Sequence, residues 1–299
     1  MSDIRAAGTK KLSPGAMGVL CGAGAALFWA AGLVSARHGI AIGLTPLDIT
    51  MHRLVLAGFF FLPFMRTGAP ADLTGVGWGK CILLTLCGGP PLALLSYAGF
   101  ILVPLGHGGV IQPSSAALMG LLLSTLIVKE KLPRTRLYGA LAIVCGLCVI
   151  GYEALSTIGM HGIVGDLCFM AAGFTFAVFG MLLKLWRISP IRSVAITSVF
   201  SMVLIPVEYY FGFDRLIAAG LYENLILAVV QGVFAGAGAT FLFTRAVVLL
   251  GAARAAVFPA LVPPFTLLTG FLALGIMPTL FQLVGMVIVL AGFRLTQKA

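Results

Sequence analysis

Residues 106–122 read GHGGVIQPSSAALMGLL, a mostly apolar run with a glutamine, a proline and two serines near its centre. Similar runs fill the rest of the 299-residue chain, which is 60% hydrophobic and only 9% charged, with a mean hydropathy of +1.11. A soluble domain usually carries about 25% charged residues, and a soluble fold of this length could not bury so much apolar surface. The composition therefore predicts an integral membrane protein.

The apolar runs are continuous and about twenty residues long, which is the length of a membrane-spanning helix and not of a barrel strand. Charges and prolines separate them. We predict an all-α protein with ten spans, at about residues 16–37, 46–66, 79–102, 107–128, 134–152, 162–184, 191–210, 223–248, 252–274 and 278–296. The first run is longer than the core of a signal peptide, so we expect it to be retained.

The positions of the basic residues predict the orientation. If the N-terminus is cytoplasmic, the outer side holds only Arg37, Arg53 and Arg215, and the other 16 of the 19 Lys and Arg residues lie on the inner side. Short cytoplasmic loops are enriched in Lys and Arg. We therefore expect a multi-pass protein of the inner (cytoplasmic) membrane with both termini in the cytoplasm. The net charge of +10 then reflects topology and not a nucleic-acid partner.

The chain contains a weak internal repeat. Pro113 and Pro259 are 146 residues apart, and the same offset relates Gly139 to Gly285 and Gly146 to Gly292. The predicted halves, residues 1–152 and 153–299, have five spans each. Because five is odd, the second half enters the membrane in the opposite sense, which gives an inverted 5+5 repeat. Such repeats are typical of transporters, with a central cavity between the halves.

Proline and glycine mark the expected gates and kinks. A proline inside a span frees a backbone carbonyl, and interrupted spans at matching positions of two halves point to a transport site. The candidate gating residues lie in spans 3, 4, 8 and 9: Pro90, Pro91, Pro113, Gly236, Gly238, Pro259, Pro263 and Pro264. The glycines are equally consistent with close helix packing.

Polar and aromatic residues of the middle layers are the candidate substrate contacts. Gln112, Ser115 and Met119 share a helical face at i, i+3 and i+7, although a simple kink with local hydrogen bonds would explain them too. Gln231 is a polar residue on a glycine-rich span. The aromatic candidates, which filler packing would also explain, are Trp29, Tyr97 and Phe176.

Arg53 and Asp166 are a candidate structural charge pair inside the membrane, where an unpaired charge is expensive. A contact between Arg53 and a substrate carboxylate, or snorkelling, are the alternatives. No acid is expected at the midplane, which favours a facilitator over a proton- or sodium-coupled carrier. The six cysteines and four histidines are scattered, so we expect no disulfide, metal site or cofactor.

Several motifs resemble those of the drug/metabolite transporter superfamily in its ten-helix EamA-type form. Phe28-Trp29 with Arg37 is similar to one family stretch, and Pro46 with Arg53 and Ala57 is similar to another. The segment 130–133, EKLP, with Gly139 resembles a third. The second half departs from the pattern, since residues 274–278 contain no acid, and Lys129 stands where glycine is usual.

The chain most resembles bacterial amino-acid exporters of the YddG type, which implies export of aromatic and other amino acids and similar metabolites by alternating access. The expected partners are such small molecules and the lipid bilayer, with a monomer sufficient for function. A proton-coupled exporter of drugs or other metabolites is the alternative. A lipid-modifying membrane enzyme is a third reading, but the sequence contains no catalytic motif, so we expect no enzyme activity.

Overall fold

The computed structural model describes residues 13–65, 75–102, 105–127, 129, 133–155, 160–274, 277 and 279–297. Every regular element in these ranges is helical. The α-helices are α1 (Pro14–Ala41), α2 (Pro46–Phe61), α3 (Trp78–Gly88), α4 (Pro90–Leu102), α5 (Leu105–Leu126), α6 (Arg134–Leu155), α7 (Met160–Leu185), α8 (Pro190–Phe200), α9 (Leu204–Phe211), α10 (Asp214–Leu227), α11 (Ala239–Leu250), α12 (Ala252–Ala255), α13 (Val262–Leu274) and α14 (Leu280–Gln297).

Within the described residues, six helical stretches are long and apolar enough to cross a membrane. They are Pro14–Ala41, Trp78–Leu102, Ile163–Leu185, Pro190–Phe211, Asp214–Leu250 and Ala252–Leu272, with Ile111–Leu126 and Leu283–Thr296 as shorter apolar helices. The prediction of a multi-pass, all-helical membrane protein is confirmed for the described residues. The count of ten spans stays a prediction.

Three helices begin with a hydroxyl residue followed by proline, at Ser13, Thr45 and Ser189. Each hydroxyl accepts a hydrogen bond from the third residue of its helix, and proline fits the first helical position, where no amide donor is needed. These caps fix where α1, α2 and α8 start.

Most of the predicted interruptions appear as breaks or changes of helix type. Span 3 is divided between α3 and α4 at Gly89, directly before Pro90 and Pro91. Span 8 contains a π-helix at Ala228–Gly238, and span 9 contains a 3-10 turn at Phe258–Leu261 around Pro259. π-Helical segments inside α-helices are frequent at functional sites.

The expected break at Pro113 takes a milder form. Helix α5 runs from Leu105 to Leu126 without a change of helix type, and Pro113 lies inside it. The proline therefore removes one backbone donor from a continuous helix and does not interrupt it, as spanning helices tolerate when neighbouring groups satisfy the freed carbonyl.

Helices α6 and α14 touch through glycines on both sides. A Cβ atom added at Gly139 would lie 2.7 Å from the carbonyl oxygen of Gly292, and one at Gly146 would lie 2.7 Å from that of Gly285. Glycine is needed at these positions because the two backbones are in direct contact. These are the four glycines that the sequence offset relates.

Candidate functional site

One cavity is lined by residues from nine helical segments: α1, α2, α3, α4, α5, α7, α11, the 3-10 turn at Phe258–Leu261, and α13. It offers about 90 Å³ to the centres of water molecules. A single water needs about 10–15 Å³ by that measure, so the space suits several waters or a small organic molecule. Its wall consists of Trp29, Leu33, Arg53, Gly88, Leu92, Ala93, Ser96, Tyr97, Gln112, Pro113, Ala116, Phe176, Phe179, Thr240, Phe243, Pro259 and Val262.

Aromatic rings form one part of the wall. The Trp29 ring meets that of Phe176 edge-on at 5.1 Å between centroids, and the Phe176 ring lies 4.7 Å from that of Phe243. Phe179, one helical turn from Phe176, joins the same group. Rings at these distances pack favourably, and their faces suit an apolar or aromatic guest.

A chain of hydrogen bonds forms the polar part. Arg53 Nη1 donates to the Tyr97 hydroxyl at 3.1 Å, and that hydroxyl donates to Gln231 Oε1 at 3.1 Å. Gln231 Nε2 donates to the Gly32 carbonyl at 2.6 Å and to the Ser35 hydroxyl at 3.1 Å. These hydrogen bonds hold the Arg53 guanidinium in place, and Arg53 also lines the cavity.

Glycines of the π-helix allow this arrangement. An added Cβ at Gly236 would collide with the Arg53 carbonyl oxygen, and one at Gly232 would lie 2.7 Å from the carbonyl oxygen of His52. The π-helix therefore packs directly on the backbone of α2, at the turn that carries Arg53. A larger residue at either glycine would push α2 away and displace the guanidinium.

Backbone irregularities meet at the cavity. Pro113 and Pro259 both line it, and so does Gly88, beside the break between α3 and α4. Pro263 and Pro264 follow within α13 and are buried. A kinking or gating role for these residues stays a prediction. Their position at the wall means that any bending there would change its shape.

A second, much smaller space adjoins the first and shares Ala116, Phe176 and Phe243 with it. It offers about 10 Å³ to water centres, which is at the limit for one molecule. Its remaining wall is made of small residues and one methionine: Gly120, Ala177, Gly180, Met181, Ala252 and Ala256. The bundle is thus tightly closed on this side of the aromatic group.

The predicted site residues divide into three sets. Trp29, Tyr97, Gln112 and Phe176 come together in the wall, and Arg53, expected as a structural charge, joins them. Their role as substrate contacts stays a prediction. Gln231 is fully buried behind Tyr97 and supports it. Ser115 and Met119 are outside the wall.

The reason for the position of Ser115 is its helix contact. A Cβ atom added at Gly173 in α7 would lie 2.7 Å from Ser115 Cβ, so Ser115 faces α7. The described hydrogen bond of the Arg53 guanidinium goes to Tyr97 and not to Asp166. The pairing of Arg53 with Asp166 therefore stays a prediction.

The sequence reasoning missed Ser96, Phe179, Thr240 and Phe243. Phe179 follows Phe176 by three residues and Thr240 follows Gly236 by four. Helical spacing from the chosen residues would have indicated these two, but not Ser96, which directly precedes Tyr97 and so faces another direction.

The described wall contains no carboxylate, and Arg53 is its only charged side chain. The described residues also contain no group of three His, Cys, Asp or Glu that could hold a metal ion. The wall can bind a molecule with an anionic group and an apolar part. It does not bring together a nucleophile and a base.

Comparison with known proteins agrees with this geometry. A model of the EamA-like transporter family matches residues 16–152 and again residues 163–296. A solved structure titled "Crystal structure of protein" shares the fold with a TM-score of 0.71 at 15% identity, over 93% of this chain and 96% of that one. A search of curated proteins finds no match. Since the family model matches nearly the whole chain in two copies, the protein belongs to the EamA-like transporter family of membrane transporters.

Proposed function

We propose that this transporter exports amino acids, aromatic ones among them, and similar small metabolites across the inner membrane by alternating access. The observation that carries the proposal is that Arg53 and a group of aromatic rings lie in the wall of the same cavity. Arg53 would bind the substrate carboxylate, and Trp29, Phe176 and Phe243 would contact the side chain.

Ten spans in an inverted 5+5 arrangement, residues 1–152 and 153–299, are part of this proposal. The glycine contacts between α6 and α14 support it. The offset of 146 relates Gly139 to Gly285 and Gly292 to Gly146, so one contact becomes the other when the halves are exchanged. A two-fold axis in the membrane plane would produce such reciprocity, as in other transporters with inverted repeats.

Both termini would be cytoplasmic. A cysteine placed at Arg187, between α7 and α8, should then resist an impermeant thiol reagent in intact cells, and one at Asp214, the first residue of α10, should react. Both positions are exposed, and the native cysteines would first be replaced. The reverse labelling pattern would refute the orientation.

Transport would be facilitated and driven by the substrate gradient. The described wall offers no carboxylate to carry a coupling proton, and ion-coupled carriers usually keep one deep in the membrane. Flux into liposomes at a fixed substrate gradient should persist when ionophores collapse the proton and sodium gradients. Loss of flux would favour the proton-coupled alternative.

Counterflow in liposomes tests the substrate class. Phenylalanine would be compared with 3-phenylpropanoate, which lacks the ammonium group, and with phenethylamine, which lacks the carboxylate. We expect the first two to exchange and the amine to fail, because the wall supplies a cation and no acid. Exchange of the amine alone would contradict a role for Arg53 in substrate binding.

Gln112 and its neighbour Ser115 provide a matched pair of variants. Gln112→Ala removes a polar group from the wall and should weaken apparent affinity by roughly five- to a hundred-fold, the usual cost of an unmade buried hydrogen bond. Ser115→Ala, on the face toward α7, should leave affinity unchanged. Pro113→Ala restores a donor to α5 and should lower turnover more than affinity. If all three variants had the same flux per folded molecule as the wild type, the substrate-binding site would have to lie elsewhere.

A further inference from the structure

The polar part and the aromatic part of the cavity wall lie at opposite ends of the cavity. At one end, Gly88 packs on an aromatic ring, since an added Cβ atom would lie 2.6 Å from Cδ2 of Phe179. Nine residues later in the chain, Tyr97 bonds to Arg53. Both Gly88 and Tyr97 line the cavity. The wall therefore has a cationic end at Arg53 and an aromatic end at Phe179.

The second, smaller space extends the cavity at its aromatic end. This space, here named the side pocket, is bounded by Gly120, Ala177, Gly180, Met181, Ala252 and Ala256. In α5, Gln112 lines the cavity and Gly120 lines the side pocket, and in α7 Phe176 is followed by Gly180 in the same order. The eight residues from Gln112 to Gly120 rise about 12 Å along the helix, so the two spaces together are about as long as an extended aromatic amino acid.

The two spaces meet at three side chains. Ala116, Phe176 and Phe243 border both of them. The two rings lie 4.7 Å apart between centroids, and Ala116 contributes only a methyl group to the third side. The junction is therefore narrow, and a group at the end of a substrate side chain would enter the side pocket beside Ala116.

The side pocket suits one small apolar group. It offers about 10 Å³ to water centres, which corresponds to a single methyl group or water molecule. Its described side chains are those of alanine, phenylalanine and methionine, and the Met181 sulfur is only a weak hydrogen-bond acceptor. A methyl group would bury its surface there, whereas a hydroxyl group would lose its hydrogen bonds to water.

Two glycines of the side pocket differ in the room that they leave. A Cβ atom added at Gly120 would lie 2.5 Å from the Cβ atom of Ala256, so nothing can be added on that side. A Cβ atom added at Gly180 would lie 3.5 Å from Cζ of Phe243, which is an ordinary contact distance. Gly180→Ala therefore fits the fold and adds a methyl group to the wall of the side pocket.

We propose that the side pocket is the subsite for the end of the substrate side chain, with the substrate carboxylate at Arg53 and the para position of an aromatic ring at the junction beside Ala116. This inference rests on the proposed function and adds the orientation and selectivity of binding. The carboxylate points to the proposed outer face and the side chain to the cytoplasmic one. An apolar para substituent is preferred, and a hydroxyl group is disfavoured.

Competition in the liposome counterflow assay tests the preference in the wild type. Phenylalanine, 4-methylphenylalanine and tyrosine differ only at the para position, which carries hydrogen, methyl or hydroxyl. We expect 4-methylphenylalanine to compete about four-fold more strongly than phenylalanine, the usual gain from burying one methyl group. Tyrosine should compete at least about five-fold more weakly, because its hydroxyl leaves water without gaining a partner. Tyrosine equal to or stronger than phenylalanine would overturn the proposal.

Gly180→Ala locates the effect, since a methyl group buried anywhere in the cavity would also favour 4-methylphenylalanine. The added alanine methyl occupies the side pocket, so the four-fold preference over phenylalanine should fall to about one or reverse. Gly270→Ala is the control, because Gly270 lies within α13 and an added Cβ atom would meet nothing within 4 Å. It should keep the preference. A preference that is unchanged in Gly180→Ala would show that the methyl group binds elsewhere.

Met181→Ala provides the opposite test and also serves if Gly180→Ala folds poorly. The change enlarges the side pocket. In the wild type, 4-ethylphenylalanine should compete more weakly than 4-methylphenylalanine, because the longer group overfills the pocket. In Met181→Ala the order should reverse. The same order in both proteins would contradict the subsite.

The two proposals fail in different ways. If phenylalanine itself does not exchange, the proposed function is wrong and the subsite with it. If phenylalanine exchanges and the para substituents have no effect, only the subsite is wrong, and the role of Arg53 and the aromatic group is untouched.

Discussion

Helices α2 and α8 begin alike and then differ in what they bury. Thr45-Pro46 and Ser189-Pro190 cap them in the same way, but the third helical residue is Asp48 in one and Arg192 in the other. Five residues further, α2 carries Arg53 where α8 carries Thr197. The backbone elements match, and the charges do not.

The hydrogen bonds follow this difference. In α8, the hydroxyls of Ser193 and Thr197 bond to carbonyls one turn earlier, and so does the hydroxyl of Ser201, directly after α8. In α2, Asp48 and Arg53 bond to residues far away in the sequence. Hydroxyls in a span can be satisfied locally, whereas charged groups need partners from other helices. We infer that α2 carries function and that α8 carries mainly structure.

The largest expected effect is that of Asp48→Asn on stability. Asp48 is fully buried and accepts bonds from Thr45 and from Arg215, which is 36% exposed. Losing the charge should lower the free energy of unfolding by about 3 kcal/mol, at the low end for a buried pair because Arg215 is partly solvated. Arg192→Gln, at the matching position of α8, should cost under about 0.5 kcal/mol. Thermal unfolding in one detergent compares them. Equal losses would show that the two helix starts are equivalent.

Next in size is the effect of Arg53→Gln on substrate affinity. We expect the half-saturating concentration of phenylalanine to rise about thirty-fold, since a charged partner in a dry site is worth about 2 kcal/mol. Thr197→Val, the α8 counterpart, should leave it within about two-fold, because Thr197 bonds within its own helix. Counterflow normalised to folded protein provides the measurement, and a comparable loss in both variants would contradict the distinction.

Tyr97→Phe should have a smaller effect of the same kind. The change removes the hydroxyl between Arg53 and Gln231 but keeps the ring in the wall. A net hydrogen bond is worth about 1 kcal/mol, so affinity should fall about five-fold with turnover retained. Unchanged affinity would mean that the hydrogen bond from Arg53 to the Tyr97 hydroxyl is not needed to position the guanidinium.

Thr244→Val should have the smallest effect. Thr244 shares a 2.7 Å hydrogen bond with Ser193 of α8, and the hydroxyl that accepts this bond can donate to a carbonyl of its own helix. We expect a loss of stability of about 0.5–1 kcal/mol and normal transport. A loss of flux beyond the loss of folded protein would assign α8 a functional role.

Hydropathy and the proline pattern allowed much of this molecule to be predicted from the sequence. Pro113 and Pro259 were chosen for their matching positions, and both line the cavity. The orientation of α5 was less accurate. Gln112, Ser115 and Met119 were taken as one face, yet the wall uses Gln112, Pro113 and Ala116. At about 100° per residue, the face that lines the cavity is rotated by about 70° from the predicted face. Ser115 was chosen as a cavity residue because it is polar, but the cavity lies beside Ala116, whose small side chain leaves room for it.

The contact between His52 and Asn224 could not be predicted from the sequence for a different reason. His52 and Asn224 are separated by 172 positions, and their contact depends on how α10 turns at Gly220, whose φ is +80°. Local patterns give the face of a helix and its ends. They do not give the partner of a polar group across the bundle, which depends on tertiary packing.

The break between α3 and α4 affects how the substrate wall should be mapped. Pro90 and Pro91 have no amide hydrogen, so the carbonyl oxygens of Leu86 and Cys87 lose the donors that a helix would provide. Gly88, beside them, lines the cavity. Side-chain substitutions leave these main-chain oxygens in place, so alanine scanning would not detect a substrate ammonium bound to them. Pro90→Ala, which supplies a competing donor, is the change that would reveal such a contact.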